Sequence, residues 1–127
     1  MIVLDTHVLV WWTNAHHQVS SGAQEAIESA DVIAVSAITG WEAAVLARRR
    51  RIQIDRDALA WLHDLATAKN VRILPITLDI AVRAAEFHEL LRDPIDCLIV
   101  ATALINNAPL LTKDDRIRRS GLVETIW

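Results

Sequence analysis

Residues 2–5 read Ile-Val-Leu-Asp, a short apolar run that ends at an acid. Consecutive apolar residues without polar alternation are typical of a strand that is buried on both faces of a sheet. An acid directly after such a strand is costly to bury unless it is solvated or paired. Ile2–Leu4 is therefore predicted to be a buried strand, and Asp5 is the first candidate functional residue.

Beyond this strand, short apolar runs alternate with segments of helical periodicity. Further strands are predicted at residues 32–35, 71–76 and 110–111, with a short one near Ile126. Helices are predicted in between, one through Trp12 and others over residues 23–30, 36–50, 57–65, 78–91 and 94–104. This order predicts an α/β fold, a three-layer sandwich whose central, mainly parallel sheet of four to five strands is covered on both faces.

Length and composition limit the function classes. The 127 residues fit a single domain spanning 1–127, and the apolar fraction of 53% with 23% charged residues excludes a disordered chain or a coiled coil. No apolar run approaches the roughly 20 residues that cross a membrane, and no secretory signal is recognisable, so a cytoplasmic protein is expected. Cys97 is the only cysteine, which excludes an intramolecular disulfide and disfavours a thiolate zinc site.

Four acids lie where this fold would gather them. Asp5 follows the first strand, and Asp114 lies two residues past the last core strand. Glu42 lies two turns into the helix after the second strand, and Asp96 lies in the first turn of the helix before the last core strand. Ligands of parallel α/β sheets bind at the carboxyl ends of the strands, and right-handed crossovers would bring all four acids toward that edge.

Such a cluster predicts metal-dependent chemistry, because four carboxylates in one pocket repel one another unless protons or a cation neutralise them. An all-oxygen site suits Mg2+ or Mn2+, and because Mg2+ keeps several waters, some acids are expected to act through water. The predicted reaction is phosphodiester hydrolysis. The metal would polarise the phosphoryl oxygen and activate a water, while one acid orients that water or accepts its proton.

Several acids also have simpler structural explanations. Asp93 precedes Pro94 and is interpreted as a helix N-cap, and Asp115 is interpreted as a solvated neighbour of the site. Asp114 could itself cap a short helix through Ile117. The joint placement of the four acids, rather than any one of them, supports the prediction of a site.

Four stretches carry a family resemblance: Val-Leu-Asp-Thr-His-Val-Leu at 3–9, Ser-Ala-Ile-Thr-Gly-Trp-Glu at 36–42, Asp-Pro-Ile-Asp at 93–96 and Pro-Leu-Leu-Thr-Lys-Asp at 109–114. With these motifs in order, the chain resembles PIN-domain ribonucleases of the VapC type, the toxins of bacterial toxin–antitoxin pairs. The motifs are short, but together they cover essentially the whole chain.

The resemblance implies a PIN-like sandwich in which Asp5, Glu42, Asp96 and Asp114 surround Mg2+ or Mn2+. It implies that Asp5 and Asp96 are the closest metal ligands, and that Thr6 and Thr112 support the site by hydrogen bonding. It also implies endonucleolytic cleavage of RNA, a homodimer, and inhibition by a cognate antitoxin bound across the active-site groove.

The chain departs from the family pattern in two places. Similar proteins commonly have Arg directly after the third acid, where this chain has Cys97. A glycine often ends the helix that bears Glu42, whereas here four arginines at 48–51 follow without one. Neither departure touches the four acids.

The charge balance bears on nucleic-acid binding. The net charge of −3 is unlike that of a passive nucleic-acid binder, but leaving out the four site carboxylates changes it to +1. The candidate phosphate contacts are Arg48, Arg116, Arg118 and Arg119. A solvated helix end is the simpler explanation of the arginine run.

Other functions are open on the sequence alone. A phosphoacceptor signalling domain would use an Asp after strand one and a late Lys, here Lys113, but it needs paired acids and an acid where Thr77 follows the third strand. An aspartyl phosphatase would want a second acid at His7. A non-catalytic binding partner would leave the acids unexplained.

Overall fold

The computed structural model describes residues 1–127, which form a five-stranded sheet covered by helices on both faces. All strand pairs are parallel, in the order β3-β2-β1-β4-β5. The strands are β1 Ile2–Leu4, β2 Ile33–Ser36, β3 Val71–Leu74, β4 Leu110–Leu111 and β5 Thr125–Ile126. The predicted α/β class and parallel sheet are confirmed, with β1 in the centre as its uninterrupted apolar run requires.

Eight helices connect these strands. They are α1 Thr6–Asn14, α2 Ser21–Ser29, α3 Ile38–Arg48, α4 Ala58–Thr67, α5 Leu78–Ala85, α6 His88–Leu91, α7 Pro94–Ile105 and α8 Asp115–Ser120. A 3₁₀ turn at His16–Gln18 joins α1 to α2. None of the eight combines the length and apolar character needed to span a bilayer.

The core is divided in two by the sheet, because alternate residues of a strand face opposite sides. Ile2 and Leu4 pack with Trp61 of α4 in one cluster. Val3 packs with Ile99 of α7 and Ile117 of α8 in the other. Each side chain of β1 is therefore buried, and truncating Leu4 to alanine would cost about 2–5 kcal/mol.

Side-chain N-caps define where several helices begin. The Ser20 hydroxyl accepts a hydrogen bond from the Ala23 N–H at 3.2 Å, and Asp57 caps α4 in the same way. Asp93 accepts from the Ile95 N–H at 2.8 Å, with Pro94 in the first turn of α7. The cap predicted at Asp93 is confirmed.

The helix predicted over 78–91 is wrong as one element, because it is divided into α5 and α6. At the break the backbone changes to i→i+3 bonds, such as Phe87 N–H to the Ala84 carbonyl at 3.1 Å. Ile80, Ala84, Phe87 and Leu91 are still all buried. The apolar spacing survives the break, so the sequence pattern could not reveal it.

The helix predicted over 36–50 is shorter at both ends. Ser36 completes β2 and its hydroxyl accepts a hydrogen bond from Thr102 at 3.2 Å, so α3 starts at Ile38. At the other end Arg50 adopts a φ of 54°, a left-handed conformation usually left to glycine. A non-glycine residue therefore makes the turn where similar proteins often have glycine.

Candidate active site

Asp5 lies at the carboxyl end of the central strand. Leu4 is in register with Leu111 of β4, which places Asp5 beside Thr112 at the start of the next loop. The Asp5 N–H donates to the Leu111 carbonyl at 3.0 Å, and the Thr112 hydroxyl donates to Asp5 Oδ2 at 2.7 Å. Burial raises the pKa of Asp5, although the Thr112 hydrogen bond partly offsets this effect.

Asp114 is tied to the same threonine. Its N–H donates to Thr112 Oγ1 at 3.0 Å, while its Oδ1 accepts from the N–H groups of Arg116 and Ile117 at 2.7 and 3.3 Å. Asp114 is therefore both the N-cap of α8 and a neighbour of Asp5. Partial burial favours a higher pKa, but hydrogen bonds from the Arg116 side chain and the two backbone N–H groups bring the pKa of Asp114 below its usual value.

Asp96 contributes the third acid from the first turn of α7. Burial, followed by the charges of Asp93, Asp5 and Asp114, raises the pKa of Asp96 to about 7. Arg116 opposes this shift, since its Nη2 lies 3.1 Å from Asp96 Oδ2 and 3.3 Å from Asp114 Oδ2. Arg116 is therefore the basic side chain that forms ion pairs with these acids.

Glu42 projects from α3 on the other side of the pocket. Its Oε2 is buried and has no hydrogen-bond partner. Burial raises the pKa of Glu42, opposed by the nearby Thr6 hydroxyl. Thr6 itself is fully buried and donates to Thr39 Oγ1 at 3.2 Å, which joins the starts of α1 and α3 below the acid. An unpartnered buried carboxylate oxygen normally has a ligand or solvent in its functional state.

One pocket of about 310 Å³ contains all four predicted acids. Its lining is completed by Asp93, Arg116, His7, Trp11 and Lys113. Asp93 was interpreted as a cap alone, and the structure shows that it both caps α7 and lines the pocket. His7 and Trp11 were not predicted to line the pocket. Their positions, two and six residues after Asp5, are the sequence signal that could have indicated it.

The donor set suits a hard divalent cation. Five carboxylates line the pocket together with Arg116, Lys113 and His7. Burial of Asp5, Glu42 and Asp96 disfavours their charged forms. No three of these groups converge as a ready set of direct ligands. Mg2+ tolerates this arrangement because it keeps several waters and takes few direct carboxylates. The carboxylate oxygens, with Glu42 Oε2 lacking a hydrogen-bond partner, therefore fit a hydrated cation.

The predicted RNA-contact arginines are differently placed. Arg116 is committed to Asp96 and Asp114 inside the pocket. Arg118 and Arg119 pair with the exposed Asp115 at 3.3 and 3.9 Å. Arg48 is the last residue of α3, is exposed and forms no ion pair. The three arginines that follow it are also exposed and also form no ion pair.

Comparison with known families decides the identity of the fold. The PIN-domain family model matches residues 2–121. The chain belongs to the PIN-domain family. This PIN domain is 40% identical to Ribonuclease VapC22 of Mycobacterium tuberculosis, over 99% of this chain and 98% of that protein. The recognised family resemblance is thus confirmed.

Solved structures share the fold of this PIN domain. The Mycobacterium tuberculosis toxin VapC20, described as cleaving the sarcin-ricin loop, superposes with a TM-score of 0.73 at 20% identity, over 98% of each chain. VapBC-1 from nontypeable Haemophilus influenzae gives a TM-score of 0.70 at 19% identity, over 98% of this chain and 96% of that one. At such identities the likeness concerns the fold.

The Cys97 departure has little effect on the pocket in this PIN domain. Cys97 is buried in the core on the α5 side of α7, and it packs near Pro94 and His88 rather than among the acids. Burial raises the pKa of its thiol. A cysteine here fills core space, and Arg116 supplies the positive charge beside Asp96.

Proposed function

We propose that this PIN domain is a divalent-metal-dependent endoribonuclease that hydrolyses RNA phosphodiesters as the toxin of a toxin–antitoxin pair, with residues 1–127 acting as one unit. The observation that carries the proposal is the single pocket that gathers Asp5, Glu42, Asp96 and Asp114 at the carboxyl edge of the sheet. Ribonuclease VapC22, at 40% identity over nearly the full length, supports RNA as the substrate.

In the proposed mechanism Asp5 and Asp96 would hold Mg2+ or Mn2+, and Glu42 and Asp114 would complete the site. PIN-domain nucleases generally depend on a divalent metal, and the bound ion supplies Lewis-acid polarisation of the phosphate and a lower pKa for the attacking water. The Thr112 hydroxyl orients Asp5 through its 2.7 Å hydrogen bond. Glu42 Oε2, which has no internal partner, orients the water or accepts its proton.

The ion pairs of Arg116 give it a place in this scheme. Its side chain is 60% exposed, yet it contacts Asp96 and Asp114. If those carboxylates held a cation, the Arg116 guanidinium would be available to contact the phosphate of the substrate. We therefore retain Arg116 as an RNA contact, together with Arg48, Arg118 and Arg119 on the surrounding surface.

The proposed partners are a cognate antitoxin and a second copy of the chain. Structural neighbours include a toxin–antitoxin complex from Klebsiella pneumoniae. Leu78 and Val82 of α5 and Ile105 of α7 are 85%, 66% and 45% exposed and border one groove. Contiguous exposed apolar groups of this kind mark interaction surfaces, so this face is proposed to form the homodimer.

The direct test is cleavage of total cellular RNA by the purified protein with Mg2+ or Mn2+, followed by 5′-end mapping. Cleavage that needs the metal and is lost in both Asp5→Asn and Asp96→Asn supports the assignment. Unchanged cleavage in both variants would refute these carboxylates as the site. Growth arrest on expression, relieved by the protein encoded next to this gene, tests the toxin role separately.

The phosphoacceptor alternative gains no support from the fold. β3 lies at the edge of the sheet, and Thr77 after it caps α5. Lys113 lies against aromatic rings rather than on a carboxylate. Labelling by acetyl phosphate without RNA cleavage would be the result that favours it.

A further inference from the structure

An aromatic surface borders the acidic pocket, and the proposed chemistry makes no use of it. Trp11 of α1 lines the pocket and is only partly buried. Its ring centroid lies 5.9 Å from that of His7 and 5.8 Å from that of Trp127, with tilted planes in both pairs. The C-terminal Trp127 thus braces an indole that has one side on the core and another toward the pocket.

Lys113 gives this aromatic surface a positive charge suited to an anionic ligand. Its Nζ lies 5.6 Å from the Trp11 centroid and 5.9 Å from the Trp127 centroid. Although it lines a pocket of carboxylates, Lys113 forms no salt bridge. A cation held over two indoles at an exposed rim remains available for a phosphate.

The position of Trp11 relative to the acids suits a neighbouring nucleotide. Trp11 lies on α1 six residues after Asp5, the N-cap residue that precedes this helix, which corresponds to about 9 Å along the axis at 1.5 Å per residue. Trp11 also lines a second groove, of about 960 Å³, that includes Arg50 and Arg51. Both arginines are exposed and free of ion pairs. Trp11 therefore separates the acidic pocket from a basic groove.

We propose that Trp11 is a stacking subsite for the nucleobase next to the scissile phosphate, with Lys113 contacting the adjoining backbone phosphate. This inference rests on the proposed ribonuclease function and names how the RNA is held. Base–aromatic stacking tolerates every base, because each has a π-face. In this proposal the RNA chain continues from Trp11 toward Arg50 and Arg51, whose positive charges contact its backbone phosphates.

Trp12 provides a matched control for the packing explanation. It neighbours Trp11 on α1, is partly buried and packs on the same core cluster, but it does not line the acidic pocket. If Trp11 were only a packing residue, Trp11→Leu and Trp12→Leu would act alike, through stability alone. If Trp11 stacks on a base, only Trp11→Leu affects RNA, and Trp11→Phe retains most of the function.

The experiment uses a short RNA oligonucleotide that spans a cleavage site mapped with the wild-type protein. The nucleotide on either side of the cleaved bond is made abasic in turn, and kcat/KM is measured with Mg2+. Wild type should lose about 5- to 150-fold at one of the two positions, the range expected for one stacked base. Trp11→Leu should lose a similar factor on the intact RNA and nothing further on the abasic RNA, whereas Trp12→Leu keeps wild-type values.

A binding measurement provides a second readout. In the Asp5→Asn background, 2-aminopurine at the responsive position should be quenched on binding, and Trp11→Leu should remove the quenching. The abasic RNA is tested with the wild-type protein, so this measurement remains informative even if Trp11→Leu fails to fold. Wild-type cleavage that is insensitive to abasic sites at both positions overturns the subsite and leaves the ribonuclease function standing. If the wild type cleaves no RNA, the proposed function fails and the subsite fails with it.

Discussion

Replacing Asp96 by Asn should remove a specific dependence of stability on pH in the metal-free protein. The Asp96 side chain is 15% exposed, and burial with three neighbouring acids raises its pKa from 3.8 to about 7. A shift of that size corresponds to at most about 4 kcal/mol between the two protonation states, at 1.36 kcal/mol per pH unit. Asparagine has nearly the same shape and no charge to desolvate.

The direction follows from proton linkage. The folded protein holds the Asp96 proton more tightly than the unfolded chain, so this residue contributes its full stabilisation below pH 3.8. That contribution is lost progressively as the pH rises through the folded pKa of about 7. Relative to Asp96→Asn, the wild-type free energy of unfolding should therefore fall by up to about 4 kcal/mol between pH 4 and pH 8.

Urea denaturation in EDTA from pH 4 to pH 8 measures this difference directly. Asp115→Asn is the matched control, because its side chain is 65% exposed and forms only surface ion pairs of little energetic value. Mg2+ should restore wild-type stability at pH 8 far more than it does for Asp96→Asn, since the metal binds the ionised carboxylate. Parallel pH curves for wild type and Asp96→Asn would refute a protonated Asp96 in the metal-free site.

Three further substitutions test separate parts of the argument. Asp5→Asn should lower metal-dependent cleavage by about 100-fold or more with an unchanged circular dichroism spectrum, because it removes a proposed metal ligand. A loss of the folded spectrum would instead assign Asp5 a role in the fold. Thr112→Val removes the hydroxyl that donates to Asp5 and should lower the affinity for Mg2+ or the cleavage activity by about 10- to 100-fold. Thr112→Ser should stay close to wild type. Ser20→Ala removes the α2 cap and should cost about 1 kcal/mol in urea unfolding without changing cleavage; altered cleavage would contradict the separation of that helix from the site.

The parts of the fold that the sequence predicts are those with local causes. Apolar runs placed the strands, and Asp93 with Pro94 located the start of α7 within one residue. The break between α5 and α6 has no such cause, because the buried positions keep helical spacing across it. The end of α3 was likewise hidden, since the left-handed turn is made by Arg50, whose residue type does not indicate it.

The site divides along similar lines. Strand ends and helix starts predicted which acids could meet, because the parallel topology fixes that edge. The ion pair between Arg116 and Asp96 depends on tertiary structure and cannot be predicted from sequence spacing. The same is true of the contact between Lys113 and the distant Trp127. Sequence spacing also forced a choice between cap and site for Asp93, whereas one carboxylate has oxygens enough to do both.

The unequal pKa values of the acids explain how an acidic protein can bind an acidic polymer. Backbone N–H groups and Arg116 lower the pKa of Asp114, whereas at Asp5, Glu42 and Asp96 burial outweighs the opposing hydrogen bonds and the charge of Arg116 and raises the pKa. A divalent cation is the partner that allows the whole set to ionise without repelling a phosphate. If these acids held such an ion, Arg116 would be less engaged with Asp96 and more available to a phosphate. Affinity for RNA in the Asp5-intact protein should therefore depend on the metal itself, and not only the rate of cleavage.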